Sequence, residues 1–208
     1  METMNLNAIA KEINDNAVAH GWWEGGRNTA QIRALIHSEW SEALEEYRAG
    51  KPMDYRVCSN CKAPCMKEGC GDYESGECKL NEMEHKPEGI AVELVDGCIR
   101  ILDYLAHDGF VFAEEIDDLD KLMKVCETLL AEPLTIHPKD SSLPELVDAL
   151  HFYTAESSLE EYGNNALAEA VGLACLWIRE RGLDPAQIMR EKHEYNKSRS
   201  YKHGGKVC

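Results

Sequence analysis

The chain has 208 residues, 44% of them hydrophobic, with 15 Gly and 7 Pro, a composition that excludes a disordered or collagen-like chain. Its 22 basic side chains face 38 acidic ones, and the formal charge of -16 argues against a nucleic-acid partner gripped through a broad phosphate-neutralising surface. A small phosphorylated substrate is still reachable, because acidic side chains can hold one through divalent metal ions. No run of eighteen apolar residues occurs, and METMNLNAIAKEINDN carries charge where a signal peptide would be apolar. A cytoplasmic protein with no membrane partner is expected.

The periodic segments repeat at three and four residues with almost no strand-like alternation, which predicts an all-α helical bundle. A first helix spans 5–20 and stops at Gly21, before Trp22 and Trp23. Thr29 is a candidate cap for a second helix that runs to Gly50. Residues 51–86 form a cysteine-rich, loop-like insertion with too little aliphatic material for a core. Pro87 then suits the first turn of a third helix ending near Gly109. Further helices are predicted at 113–131, 143–162 and 165–181, and a last one from Pro185 to about Lys197 precedes a basic tail. The organisation is one domain over 1–208, with 51–86 and a helical stretch at 113–181 as insertions. The tetrapeptide ELVD occurs at 93–96 and again at 145–148.

On the second helix Ile32, Leu35, Ile36, Ala43 and Tyr47 form the stripe expected to be buried, yet Glu39 falls near its centre and Glu42 at its edge. A carboxylate so placed needs a cation or a metal, because an isolated ionised one is expensive to bury. The third helix has a broad apolar arc of Ile90, Leu94, Val95, Cys98, Ile101, Leu102 and Leu105. Its remaining narrow side carries Glu93, Asp96 and Arg100. Two helices that each offer an acidic pair at i,i+3 can build an oxygen-rich site suited to Mg2+ or Mn2+. The C-terminal segment supplies the opposite charge. Lys192, Asn196 and Arg199 share a face if the last helix extends that far, and Lys202, His203 and Lys206 follow with two glycines, a set of donors suited to phosphate oxygens.

Five of the nine cysteines, Cys58, Cys61, Cys65, Cys70 and Cys78, crowd into one short segment. In a reducing compartment such clustering points to metal before disulfide. The opening Cys-x-x-Cys is a zinc-knuckle signal, with five thiols for four positions; structural Zn2+ is the first reading, an iron–sulfur cluster the second, and unligated thiols or a labile disulfide the third. Cys98, Cys126 and Cys175 lie among apolar helical residues and read as core thiols.

Four segments carry a resemblance: HGWWEGGRN at 20–28, ALIHSEWSEALEEYR at 34–48, PEGIAVELVDGCIRILDYLA at 87–106 and EKHEYNKSRSYKHGGK at 191–206. Together they resemble the MazG-like family of all-α nucleoside triphosphate pyrophosphohydrolases, in particular its compact bacteriophage forms. The family hallmark, a Glu-x-x-Glu helix followed by a Glu-x-x-Asp helix, corresponds to Glu39 with Glu42 and Glu93 with Asp96. The resemblance implies that these four acids are metal ligands and that Lys192, Asn196, Arg199 and Lys202 contact nucleotide. It also implies cleavage of a ribo- or deoxyribonucleoside triphosphate to the monophosphate and pyrophosphate, and a homodimer, with a tetramer as runner-up. A first-pair glutamate or Glu46 is the candidate proton acceptor, Arg100 a candidate organiser of the carboxylates or a substrate contact, and Trp22 and Trp23 candidates for stacking on a base. The fifty residues between Glu42 and Glu93, and the roughly seventy before the last helix, depart from the compact relatives. The competing expectation is a non-catalytic module that senses nucleotide, or docks a partner through its cysteine knuckle.

Overall fold

A computed structural model describes residues 3–58, 85–129, 136–158 and 163–201, together with the backbone of 64 and 65. Seven helices make up most of the described chain: α1 (Leu6–Ala19), α2 (Thr29–Arg48), α3 (Ile90–His107), α4 (Leu119–Leu129), α5 (Leu143–Glu156), α6 (Gly163–Glu180) and α7 (Pro185–Lys197). Local chemistry sets their ends. Asn5 caps α1 by accepting from the Ala8 amide at 2.9 Å, and Asp184 caps α7 ahead of Pro185 in its first turn. The cap of α2 is Asn28, which exchanges hydrogen bonds with Gln31 in a capping box; the predicted cap, Thr29, is the first helical residue. None of the described helices is long and apolar enough to cross a membrane.

The departure from an all-helical chain is a three-stranded antiparallel sheet, β1 (Tyr55–Cys58), β2 (Pro64–Cys65) and β3 (His85–Glu88), in the order β2-β1-β3. Arg56 stands opposite Cys65 on one side and Pro87 on the other, and Cys58 stands opposite His85. Pro87 therefore lies in a strand and not in the first turn of α3. It occupies an edge strand, where a missing N–H is tolerated, and it favours extended backbone at the residue before it. Gly89 makes the turn into α3 at φ 119°, with a Cβ position only 2.8 Å from the Met53 and Pro52 carbonyl oxygens, so the chain crosses here too tightly for a side chain. Those same carbonyls accept from the first amides of α3, Ala91 to Met53 at 2.8 Å and Ile90 to Pro52 at 3.3 Å.

The third helix is the axis of the molecule. It packs against α1, α2, α6 and α7, and the whole predicted arc from Ile90 to Leu105 is buried. One contiguous apolar cluster runs from Met4 on α1 to Met189 on α7 and takes in the inward faces of α4, α5 and α6. The described residues of 113–181 thus share the core of the flanking helices. Two polar rungs join α5 to α2: His37 Nδ1 lies 2.7 Å from His151 Nδ1, and Trp40 donates from Nε1 to Thr154 Oγ1 at 3.0 Å. Both rungs span the same sequence separation in the same order, so α2 and α5 run parallel.

Three further expectations are corrected. The helix predicted from 113 begins at Leu119, where Asp118 accepts from the Lys121 amide at 2.8 Å and halts the preceding loop. The helix predicted to 162 ends at Glu156. Tyr47, assigned to the buried stripe of α2, is 47% exposed; the stripe centres on Ile36, Glu39, Trp40 and Ala43, and the last turn of α2 passes beyond its partners. The second ELVD has a different role from the first. Its Glu145 closes a capping box with Ser142 at 2.7 Å, while Asp148 is exposed.

Candidate functional site

The acids singled out on two helices meet. Glu39 on α2 is 4% exposed and Glu93 on α3 is 5% exposed, despite the desolvation that an ionised carboxylate suffers. Glu42, one turn beyond Glu39, is exposed to solvent. One carboxylate oxygen from each of the three lies within 4.8 Å of the others. Oxygens on opposite sides of a magnesium ion with bonds of about 2.1 Å stand about 4.2 Å apart, so small rotations about the side-chain bonds suffice to bring these donors around one hard cation.

Asp96, the fourth predicted acid, stands beside this trio but has a partner of its own. Lys192 reaches it from α7 with Nζ 2.6 Å from Oδ2, and the lysine is 2% exposed. Arg100, one turn along α3 from Asp96, pairs with Glu39. With all four carboxylates ionised, these two cations leave a deficit of two positive charges, which one divalent ion would match.

The electrostatics follow from this crowding. Burial pushes the Glu93 carboxyl up to about 8; the Lys192 ammonium opposes the rise and the Asp96 and Glu39 carboxylates add to it. Burial likewise raises Glu39, against the pull of Arg100. Burial alone would lower Lys192, but the Asp96 and Glu93 carboxylates outweigh it and raise its pKa, holding the ammonium charged. A metal ion bound here would have to displace these protons, since ligand carboxylates must be deprotonated.

The other predicted positions divide. Glu46 is half-buried and accepts from the Tyr55 hydroxyl at 3.1 Å, a bond that, with burial, raises the tyrosine's pKa. Asn196 is half-buried on α7, one turn beyond Lys192. Arg199 lies past the end of the helix, and its carbonyl is 2.9 Å from a His20 ring nitrogen. Trp23 is committed to packing: its Nε1 donates to Asp103 at 3.0 Å and its ring stacks on His107 at 3.5 Å between centroids, so one face is covered. The Arg27 guanidinium lies 5.3 Å from the Trp22 ring centroid and 6.0 Å from that of Trp23. Cys58 is buried at the end of β1. Cys61, Cys70, Cys78, Lys202 and the side chain of Cys65 lie outside the described residues.

Two features escaped the sequence reading. The polar side of α3 continues past Arg100 to Asp103 and His107, at the same alternation of four and three residues that links Glu93, Asp96 and Arg100. Asp103 is held by Trp23 and by Asn14 Nδ2 at 2.8 Å, and the spacing on α3 alone was the signal for it. The His37–His151 contact joins residues far apart in the chain and has no local signal. No family model, curated protein or solved structure matches this chain.

Proposed function

We propose that the chain is a Mg2+- or Mn2+-dependent nucleoside triphosphate pyrophosphohydrolase of the MazG-like type. It takes a ribo- or deoxyribonucleoside triphosphate and water to the monophosphate and pyrophosphate. The observation that carries this reading is the convergence of the Glu39, Glu42 and Glu93 oxygens from two helices, beside the buried Asp96–Lys192 pair. Divalent metal on these acids supplies charge neutralisation for the triphosphate and lowers the pKa of a bound water. Glu39 and Glu93 hold it from the buried side, with Arg100 fixing the Glu39 carboxylate. Glu42 faces solvent and is placed to accept the proton of the attacking water, whereas Glu46 already accepts the Tyr55 hydroxyl. Lys192 orients Asp96, and with Asn196 on the next turn it marks α7 as the element that meets the phosphates. In this reading 51–86 is a cysteine-rich insertion that holds structural Zn2+ on the thiols beginning with Cys58 and Cys61.

Pyrophosphate release from a panel of ribo- and deoxyribonucleoside triphosphates, with Mg2+ or Mn2+, tests the activity and identifies the substrate. Glu39→Gln and Asp96→Asn should each lose most turnover while keeping the helical circular dichroism of the parent. Normal turnover in both variants would refute the assignment. A second reading, a module that binds nucleotide without cleaving it, draws on the two internal ion pairs, which satisfy Glu39 and Asp96 without metal. Saturable nucleotide binding with no pyrophosphate release would establish it over the first.

A further inference from the structure

The two residues from His37 to Glu39 turn the helix by about 200°, so α2 shows Glu39 to α3 and His37 to α5. On the α5 side the rings of His37 and His151 meet edge to edge, with 2.7 Å between the Nδ1 atoms and 4.9 Å between ring centres. Such a contact holds one proton between two nitrogens, one donating and the other accepting. Each Nε2 reaches solvent and has no hydrogen-bond partner among the described residues. Three residues on along both helices, the Trp40–Thr154 bond keeps α2 and α5 at this spacing.

A carboxylate stands beside the pair. Asp148, one turn before His151 on α5, is exposed and makes no ion pair or hydrogen bond among the described residues, and its charge raises the His151 pKa against the burial that lowers it. It is the last residue of the second ELVD, whose glutamate caps α5. The tetrapeptide thus also delivers an Asp-x-x-His pair, a spacing that sets carboxylate and imidazole on one helix face and that helix bundles use, in its glutamate form, to hold metal. Burial holds both histidines below the usual imidazole range, and at His37 the His151 ring and Arg33 add to the effect, so the rings are neutral, as ligation requires. Arg33 is the opposing charge, which the Asp148 carboxylate offsets. A tetrahedral ion with nitrogen bonds of about 2.0–2.1 Å needs those nitrogens about 3.3 Å apart, a widening of a few tenths of an ångström with a tilt of the half-buried rings. An exposed Asp148 closes on the same ion by side-chain rotation.

We propose that His37, His151 and Asp148 bind a transition-metal ion of the Zn2+ class between α2 and α5, through the two Nδ1 atoms and one carboxylate oxygen. Water takes the fourth position, and the proton shared by the rings leaves to solvent. Imidazole donors suit Zn2+, whereas the all-oxygen set of Glu39, Glu42 and Glu93 suits Mg2+. The bound ion ties α2, the helix that carries Glu39 and Glu42, to α5. The inference stands apart from both the hydrolase reading and the thiol-bound zinc.

The test uses the full chain labelled with nitrogen-15, purified without chelator so that thiol-bound metal is retained, and kept in excess Mg2+. Zn2+ is added stepwise while long-range proton–nitrogen spectra follow the imidazoles and calorimetry gives the affinity. The expected result is that one equivalent of added Zn2+ moves the Nδ1 signals of His37 and His151 together to metal-bound positions, leaving each Nε2 protonated. That readout needs no substitution and so does not depend on a variant folding. His37→Gln and His151→Gln should each weaken the same binding event at least about tenfold, the least that loss of a supporting group around a metal produces, and Asp148→Asn should weaken it by less than either. Nδ1 signals unmoved by excess Zn2+, or one isotherm shared by the parent and both histidine variants, would overturn the proposal.

Discussion

Lys192 and His193 are adjacent on α7 and both are 2% exposed, yet they are buried on opposite terms. The lysine has carboxylates within reach and stays charged. The histidine has an Nε2 with no hydrogen-bond partner among the described residues, and burial lowers its pKa, with the nearby Lys197 adding to the effect and Glu194 and, from α1, Glu12 opposing it. A histidine depressed in the folded state is neutral there while the unfolded chain still binds a proton near pH 6.5. Its contribution to stability is therefore complete above about pH 6.5 and is lost as the pH falls toward the folded-state value, by at most about 1.4 kcal/mol per pH unit. Burial depresses His37 and His151 in the same direction, so the comparison must be made against a His193 variant. His193→Phe should flatten the loss of stability between pH 6.5 and 5 relative to the parent, as read from urea midpoints at each pH. Identical slopes in the two chains would show that the proton taken up on unfolding belongs elsewhere.

At the scale of elements, the approach of α2 to α3 depends on Gly97. A Cβ there would run into the ring of Trp40, which is fully buried and anchored to Thr154. Gly97→Ala raises helix propensity, by about 1 kcal/mol, but forces these helices apart. Overpacking of a filled core costs about 1–3 kcal/mol, so the net expectation is a destabilised chain, with a lower urea midpoint and an unchanged m-value. A higher midpoint would mean that the two helices can separate without strain. The stripes of α2 and α3 were legible in the sequence because their apolar residues recur at helical spacing, and Glu39 stood out by interrupting one. Pro87 was ambiguous, since a proline suits both the first turn of a helix and an edge strand; the choice was made by Arg56 across the ladder and by the Met53 carbonyl behind Gly89. The four acids were legible as two local pairs. Their unequal fates were not, because Asp96 is claimed by a lysine from α7 and Glu39 by an arginine whose direction depends on how α2 meets α3.

For the whole molecule, the proposed function carries the expectation of a homodimer, with a tetramer as the alternative assembly. Light scattering over a wide concentration range should return about twice the chain mass of 23.4 kDa; that monomer mass throughout would refute both assemblies and assign completion of the bundle to α4, α5 and α6. Within one chain, the sheet is tied to α7 by Arg56, which pairs with both Asp54 and Glu191, and α7 is tied to α3 through Lys192. The buried ion pair between Lys192 and Asp96 also has a consequence for biosynthesis. Lys192 leaves the ribosome about a hundred residues after Glu93, which at about 5–20 residues per second is a delay of roughly 5–20 s. Throughout that interval the nascent chain holds the acids of α2 and α3 without their principal buried cation, and water must solvate what α7 will later cover. The acidic centre thus receives its buried cation late in synthesis, and a ribosome stalled before α7 would present a bundle whose acidic seam is still open.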